Sequence, residues 1–271
     1  MNASAPFPAP FTKVIEGRVE VWAYESVAVI LMNRPDKRNA LNGEQIEALE
    51  AAFSWFARSS ATRAAVLTGA GDAFCAGGDI SMFAGINADT GWNFTRRGYD
   101  LLRSLETGRK PVIAAVSGYC LAGGFEIALA CDFIIAGASA KFGMAEVNLG
   151  LIPGWGGTVR LGKALPVRLA RQLVLTCERL TADRAIQLGL ANEVTSDDQL
   201  LSRAIALAEM IAGQPPLAVQ AARTVLNAID PSADEALALE GSLAANLFAT
   251  TEVASRVRSW IDKARSKDGG S

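Results

Sequence analysis

The chain has 271 residues, 50% hydrophobic and 20% charged, enough for a large core in one domain or one domain with a helical appendage. A net charge of -2 without a long basic run argues against nucleic acid as a partner, and the absence of histidine removes every Ser/His/Asp or Cys/His mechanism together with the commonest metal ligand. Cys75, Cys120, Cys131 and Cys177 form no CxxC pair, a usage that suits reduced, buried thiols rather than a disulfide frame or a zinc site.

In chain order, "MNASAPFPAPFTK" is rich in Pro and Ala, lacks the basic region and apolar core of a signal peptide, and reads as a flexible arm over residues 1–10. "RVEVWAYESVAVILMN" has the pattern of two early strands, and "NRPDKRNALN" after it is turn-like. Asn42 is placed to cap a helix over 43–58, where Ile46, Leu49, Ala52 and Phe53 recur at helical spacing. "AAVLTG" (64–69) and "VIAAVSG" (112–118) are short, nearly continuous apolar runs, as expected of parallel strands covered on both faces, and residues 92–108 between them are amphipathic and helical in period. This order predicts an α/β fold with right-handed crossovers.

Beyond about residue 160 the segments "LPVRLARQLVL", "TADRAIQLG", "LLSRAIALAEMIA", "PLAVQAARTVLNAI" and "ADEALALEGSLAANLF" are all helical in period. The division expected is a core over 11–200 and a helical C-terminal region over 201–271. No apolar stretch reaches the roughly 18 to 20 residues of a membrane helix, which places the chain, as an expectation, in the cytoplasm.

Two glycine-containing turns share one geometry. "FCAGGDI" (74–80) and "GYCLAGGFE" (118–126) each follow a strand and are each expected to enter a helix. Glycine permits close approach to the backbone, and a helix start leaves N–H groups without partners, so two such turns side by side could aim two donors at one oxygen. That device stabilises charge developing on a carbonyl oxygen, each donor being worth roughly 3 to 4 kcal/mol. Either pair alone is equally consistent with an ordinary strand-to-helix turn, and "GAGDAF" (69–74) lacks the third glycine of a dinucleotide fingerprint.

A helix through 122–132 is apolar or small on nearly every face except for Glu126, and burying a carboxylate costs several kcal/mol, of order 3 or more, unless it is paired or hydrogen-bonded. Twenty residues on, "AKFGMAEVNLGLIPGWGGTVRL" carries a second isolated carboxylate, Glu146. Two carboxylates in one apolar pocket perturb each other and are suited to holding and deprotonating a water; the alternative is that each is a helix-end glutamate accepting backbone N–H bonds.

From about Val27 onward the chain resembles the crotonase, or enoyl-CoA hydratase/isomerase, superfamily. "NRPDKRNALN", "FCAGGDI", "KPVIAAVSGYCLAGGFEIALACD", "KFGMAEVNLGLIPGWGGTVRL" and "ADRAIQLGLANEV" stand in that family's order and spacing. The resemblance implies that Gly78 and Gly123 are the two backbone donors to a thioester oxygen, and that Glu126 and Glu146 are the pair holding the water that adds across a double bond. It implies that Ala76, Gly78 and Ile80 receive the adenine of coenzyme A and that Lys37, Arg38 and Ala40 lie along its ribose and phosphates. Gly77, Asp79, Leu121, Pro153, Gly154 and Trp155 complete the implied substrate- and CoA-binding set, with Trp155 and the segment 81–92 as candidate walls of an acyl site.

The implied fold is a spiral of ββα turns with a helical C-terminal region that trimerises, as a homotrimer or dimer of trimers, acting on an acyl-CoA with no metal or redox cofactor. Two departures stand out: Ala122 where many members have glycine, and Ser255, Arg256 and Val257 where many hydratases carry Glu-Gly-Met. The reading is a hydratase that adds water to a 2-enoyl-CoA. The alternatives are a double-bond isomerase or a specialised dehydratase, lyase or decarboxylase on the same scaffold, and, from another class, a non-catalytic CoA- or RNA-binding member.

Overall fold

The computed structural model describes residues 11–227, 242 and 244–268. The arm expected over 1–10, and residues 233–241 and 243 of the expected 233–248 helix, lie outside the described residues.

The early segment folds as an antiparallel meander of β1 (Thr12–Ile15), β2 (Val19–Tyr24) and β3 (Val27–Met32), with β1 an edge strand that the sequence pattern does not announce. Asn42 caps α1 (Gly43–Arg58), its side chain accepting from Gln45 N as expected of an N-cap. Then come β4 (Ala64–Gly69), β5 (Ala73–Cys75), α2 (Ala88–Thr107), β6 (Val112–Val116), β7 (Tyr119–Leu121) and α3 (Gly123–Ala130). They are followed by β8 (Phe133–Gly137) and β9 (Lys141–Gly143).

Helix α2 begins four residues before its apolar periodicity does, because Asn87 and Thr90 form a reciprocal capping box. The first glycine turn, expected to lead into a helix, leads only into a single 3-10 turn, Ile80–Phe83. The remaining elements are α4 (Gly157–Ala164), α5 (Val167–Thr176), β10 (Leu180–Thr181), α6 (Ala182–Gln187), β11 (Glu193–Thr195), α7 (Asp197–Ala212), α8 (Pro216–Asn227) and α9 (Thr251–Asp268).

The strands form two sheets. One has the order β1-β2-β3-β4-β6-β8-β11, parallel from β3 onward; the other has the order β10-β9-β7-β5, with β5, β7 and β9 parallel. Each successive pair, β4 and β5, β6 and β7, β8 and β9, sends one strand to each sheet, so the chain winds as a spiral whose turns stack through parallel pairing.

The large sheet is buried on both faces, and side chains alternate between them along each strand. Ala28, Ile30, Met32, Leu67 and Ala114 point to the main core with Ile46, Leu49 and Phe53 of α1. Val27, Val29, Val66, Ile113 and Ala115 point to the other side, where Leu200, Ala204, Ile205, Ala208 and Ala212 of α7 cover them. Helix α7 straddles residue 200, where the sequence pattern suggested a division, because its apolar stripe supplies the second layer of the core.

Helix α8 is tied down by one buried arginine. Arg223 donates to the carbonyls of Leu105, at 2.7 Å, and Gly108 and pairs with Asp132, which also accepts from Val112 N at 2.8 Å. Arg223→Ala would leave a carboxylate and two carbonyls without this donor, so a loss of about 3 kcal/mol is expected in urea unfolding.

Candidate active site

The site is assembled by parallel pairing. In the small sheet β5, β7 and β9 run side by side in one direction, with Cys75 opposite Cys120 and Leu121 opposite Gly143. The residues that follow them, Ala76–Gly78, Ala122–Gly123 and Ala145–Glu146, therefore emerge together at the carboxyl end of the sheet. This is where parallel sheets open a crevice, and all three segments line one cavity of about 110 Å³.

The first turn is fixed from outside. Leu41 N donates to Gly77 O at 2.8 Å, Asp79 N to Leu41 O at 2.9 Å and Ala76 N to Arg38 O at 2.9 Å, which zips the 34–41 loop to it. Arg34 closes the zip from its side chain, reaching Asp79 at 2.8 Å and Ala40 O at 3.0 Å. Burial acts to raise the Asp79 pKa, but hydrogen bonds from Ser81 and Arg34 together outweigh it and hold the carboxyl below its ordinary value. Beneath the turn, burial pushes the Cys75 thiol up to about 12, so it sits there as a neutral group donating to Asn39 O.

The second turn is held by Ala122 N donating to Gly143 O at 2.8 Å, with Ala122 itself at φ 49° and ψ -126°. Gly78 N lies 3.8 Å from where a Cβ on Gly123 would sit, so the two turns meet. Among the described residues neither the Gly78 nor the Gly123 N–H donates to a protein acceptor.

Glu126, one turn into α3, is 2% exposed and lines the cavity. Its Oε1 accepts from Trp155 N and Gly157 N, both at 2.8 Å. The carboxylate is thus satisfied by backbone donors, as one sequence alternative had it, but they come from the distant "PGWGG" turn rather than from its own helix. A Cβ at Gly157 would lie 2.8 Å from Glu126 Cγ and 2.9 Å from Oε1, so only glycine allows this approach. Glu146 opens the 3-10 turn Glu146–Leu149, half-buried, on the same cavity.

The rest of the wall is apolar. Phe83 meets Phe94 and Phe248 at ring separations of 5.4 Å, and Phe94 meets Trp155 at 5.2 Å. Trp155 packs closely against α2 at Gly98, where a Cβ would be 1.8 Å from its indole.

Residues 23–267 match the enoyl-CoA hydratase/isomerase family. The chain belongs to that family. It is 38% identical over 239 residues to the short-chain-enoyl-CoA hydratase of Clostridium acetobutylicum, spanning 88% of this chain and 92% of that one. It is 35% identical to the crotonyl-CoA hydratase of Syntrophomonas wolfei, over 88% and 93% of the two chains. An enoyl-CoA hydratase/isomerase from Mycobacterium paratuberculosis superposes with a TM-score of 0.85 at 31% identity, over 91% of this chain and 99% of that one.

Of the residues singled out in the sequence, Ala76, Gly78, Ile80, Gly123, Glu126, Glu146, Gly154 and Trp155 all line the cavity of this family member. Lys37 and Arg38 are exposed on the 34–41 loop, while Ala40 and Asp79, half-buried, and Gly77, Leu121 and Pro153, buried, are not among the residues that line it. Phe94, Thr95, Ala244 and Phe248 also line it, and motif spacing carried no signal for them because they arrive from a helix face and from the C-terminal region. Among the described residues no group of three Cys, Asp or Glu side chains is placed to hold a metal, and no helix is long and apolar enough to cross a membrane.

Ala122 occupies a backbone region that costs a residue with a Cβ about 1 to 3 kcal/mol. Ala122→Gly is expected to raise stability by about 1 kcal/mol, read as an increase in Tm.

Proposed function

We propose that the chain hydrates 2-enoyl-CoA thioesters, giving 3-hydroxyacyl-CoA, with Gly78 and Gly123 as thioester-oxygen donors and Glu126 and Glu146 as the pair acting on water. The observation that carries this is the convergence of two glycine turns and two glutamates on one apolar cavity.

Adding water at C3 moves electron density through C2 to the thioester oxygen. In this reading the Gly78 and Gly123 N–H groups, the latter at the first residue of α3, donate to that oxygen, and the helix dipole has the sign that favours the developing charge. Glu126, its Oε1 fixed by two amide donors, orients the attacking water. Glu146 is the principal acid/base: the water oxygen bonds C3, its proton passes to the carboxylate pair, and C2 takes a proton in return. An isomerase can work with one carboxylate carrying a proton between carbons, so two lining glutamates support water addition. No step calls on a metal or redox cofactor.

The 34–41 loop, zipped to Ala76–Asp79, supports a binding path for coenzyme A along Lys37, Arg38 and Ala40 towards Ala76 and Ile80. The aromatic wall of Phe83, Phe94, Trp155 and Phe248 supports a short acyl chain. A homotrimer or dimer of trimers working in the cytoplasm belongs to the same reading; exposed Leu217, Val225 and Leu226 on α8 support an assembly surface.

Crotonyl-CoA mixed with the protein should lose the ultraviolet absorbance of its conjugated thioester. Glu146→Gln should bind the thioester normally and turn it over at least about 100-fold more slowly; full activity in that variant would overturn its assignment. Phe248→Ala should shift preference towards longer enoyl chains, raising kcat/KM for a six-carbon substrate relative to crotonyl-CoA by about tenfold, and an unchanged ratio would remove the aromatic wall as the length gauge.

A further inference from the structure

The turn that holds Glu126 is made of residues that do not hold themselves. Gly154, Gly156 and Gly157 surround Trp155, and Gly156 sits at φ 101°. A run this rich in glycine has many backbone conformations open to it, yet two of its N–H groups must point at one carboxylate oxygen. Three successive peptide units are involved. The first carries the Trp155 N–H and the third the Gly157 N–H, both donating to Glu126. The middle one carries the Trp155 carbonyl, which accepts from Arg160 Nη1 at 2.5 Å.

Arg160 is 6% exposed, an unusual place for a guanidinium. It is held there by a two-pronged pair with Glu106, at 2.5 Å from Nε and 2.8 Å from Nη2, and Glu106 belongs to the last turn of α2. A bidentate pair fixes the plane of the guanidinium as well as its position. The chain of contacts is therefore continuous: Glu106 orients Arg160, Arg160 fixes the middle peptide, and the peptides on either side of it present their N–H groups to Glu126. Helix α2 also supplies Gly98, against which the Trp155 indole rests, so backbone and side chain of residue 155 are referenced to the same helix.

We propose that Arg160, anchored by Glu106, is a positioning residue for Glu126: it locks the 154–157 turn so that the carboxylate is held for water. It is not among the residues that line the cavity. The proposal rests on the hydratase reading, and it separates the two halves of that chemistry. Placing water at C3 needs Glu126 and its turn. Exchange of a C2 proton needs Glu146 and the Gly78 and Gly123 donors, with no water at C3.

The test measures both on the same samples of the full chain: hydration of crotonyl-CoA, and exchange of the C2 protons of butyryl-CoA for deuterium in heavy water. For Arg160→Met, hydration kcat should fall about 30-fold or more with KM within about threefold, while exchange stays within about threefold of wild type. Arg160→Lys, which restores one donor to the Trp155 carbonyl, should recover part of the hydration rate. Glu106→Gln keeps the shape of the anchor and should show the same split at smaller size; it decides the matter if Arg160→Met does not fold. Hydration unchanged in a folded variant, or hydration and exchange falling in step, would overturn the assignment. A wild-type protein that exchanges butyryl-CoA protons without hydrating crotonyl-CoA would instead sink the hydratase reading.

Discussion

Everything at the site depends on three short strands pairing in parallel. β5, β7 and β9 contribute only three residues each, and none would be stable alone. Their register forces three chain segments far apart in sequence to end at one level on one side of a sheet. Because the spiral sends one strand of each pair into the large sheet, the small sheet is held in place by a core far larger than itself. The geometry of the site is thus a by-product of the winding, and local sequence has only to supply what stands at each strand end.

What stands there is polar chemistry set in an apolar shell, and the balance is kept by backbone. A buried carboxylate is tolerated when strong donors surround it, and two amide bonds to one oxygen are among the least mobile available, provided that the backbone offering them cannot move. Glycine is required at 157 for clearance, yet glycine loosens the turn. The structure resolves the conflict by clamping: Arg160 on the "PGWGG" turn and Arg34 on the "CAGGD" turn play parallel parts, each an arginine that reaches a backbone carbonyl and a carboxylate at once. Each clamp is also remote in sequence from at least one of its partners, which couples the site to the packing of α2 and of the 34–41 loop.

Much of this was legible in the sequence. The apolar runs at 64–69 and 112–118, the capped helix at 43–58 and the lone carboxylates at 126 and 146 each carry a local physical signature, and the structure places each where that signature suggests. The short strands β7, β9, β10 and β11 were not legible, because two or three residues hold no periodicity and their pairing is decided by the spiral. Nor was the partner of Glu126: a backbone N–H has no letter in the sequence, and the only trace of it is a cluster of glycines thirty residues away. Arg160 and Glu106 belong to the same class, since each reads as an ordinary surface charge on an amphipathic helix until the fold buries them together.

The two sources of the cavity wall have a further consequence. The groups that carry charge come from strand ends inside the spiral, whereas the far wall is lined by Phe83 and Phe94 from a crossover and by Ala244 and Phe248 from the C-terminal region, where Phe248 packs with Val253 and Val257 of α9. Phe83 and Phe248 belong to a small satellite of five buried residues, and Phe94 packs against both that satellite and the main core that holds Trp155. Substitutions at Phe83 or Phe248 can therefore resize that wall at a distance from the hydrogen bonds that hold Glu126, whereas a change at Phe94 reaches Trp155 directly. A scaffold built this way lets the size of the cavity vary more freely than the placement of its two carboxylates.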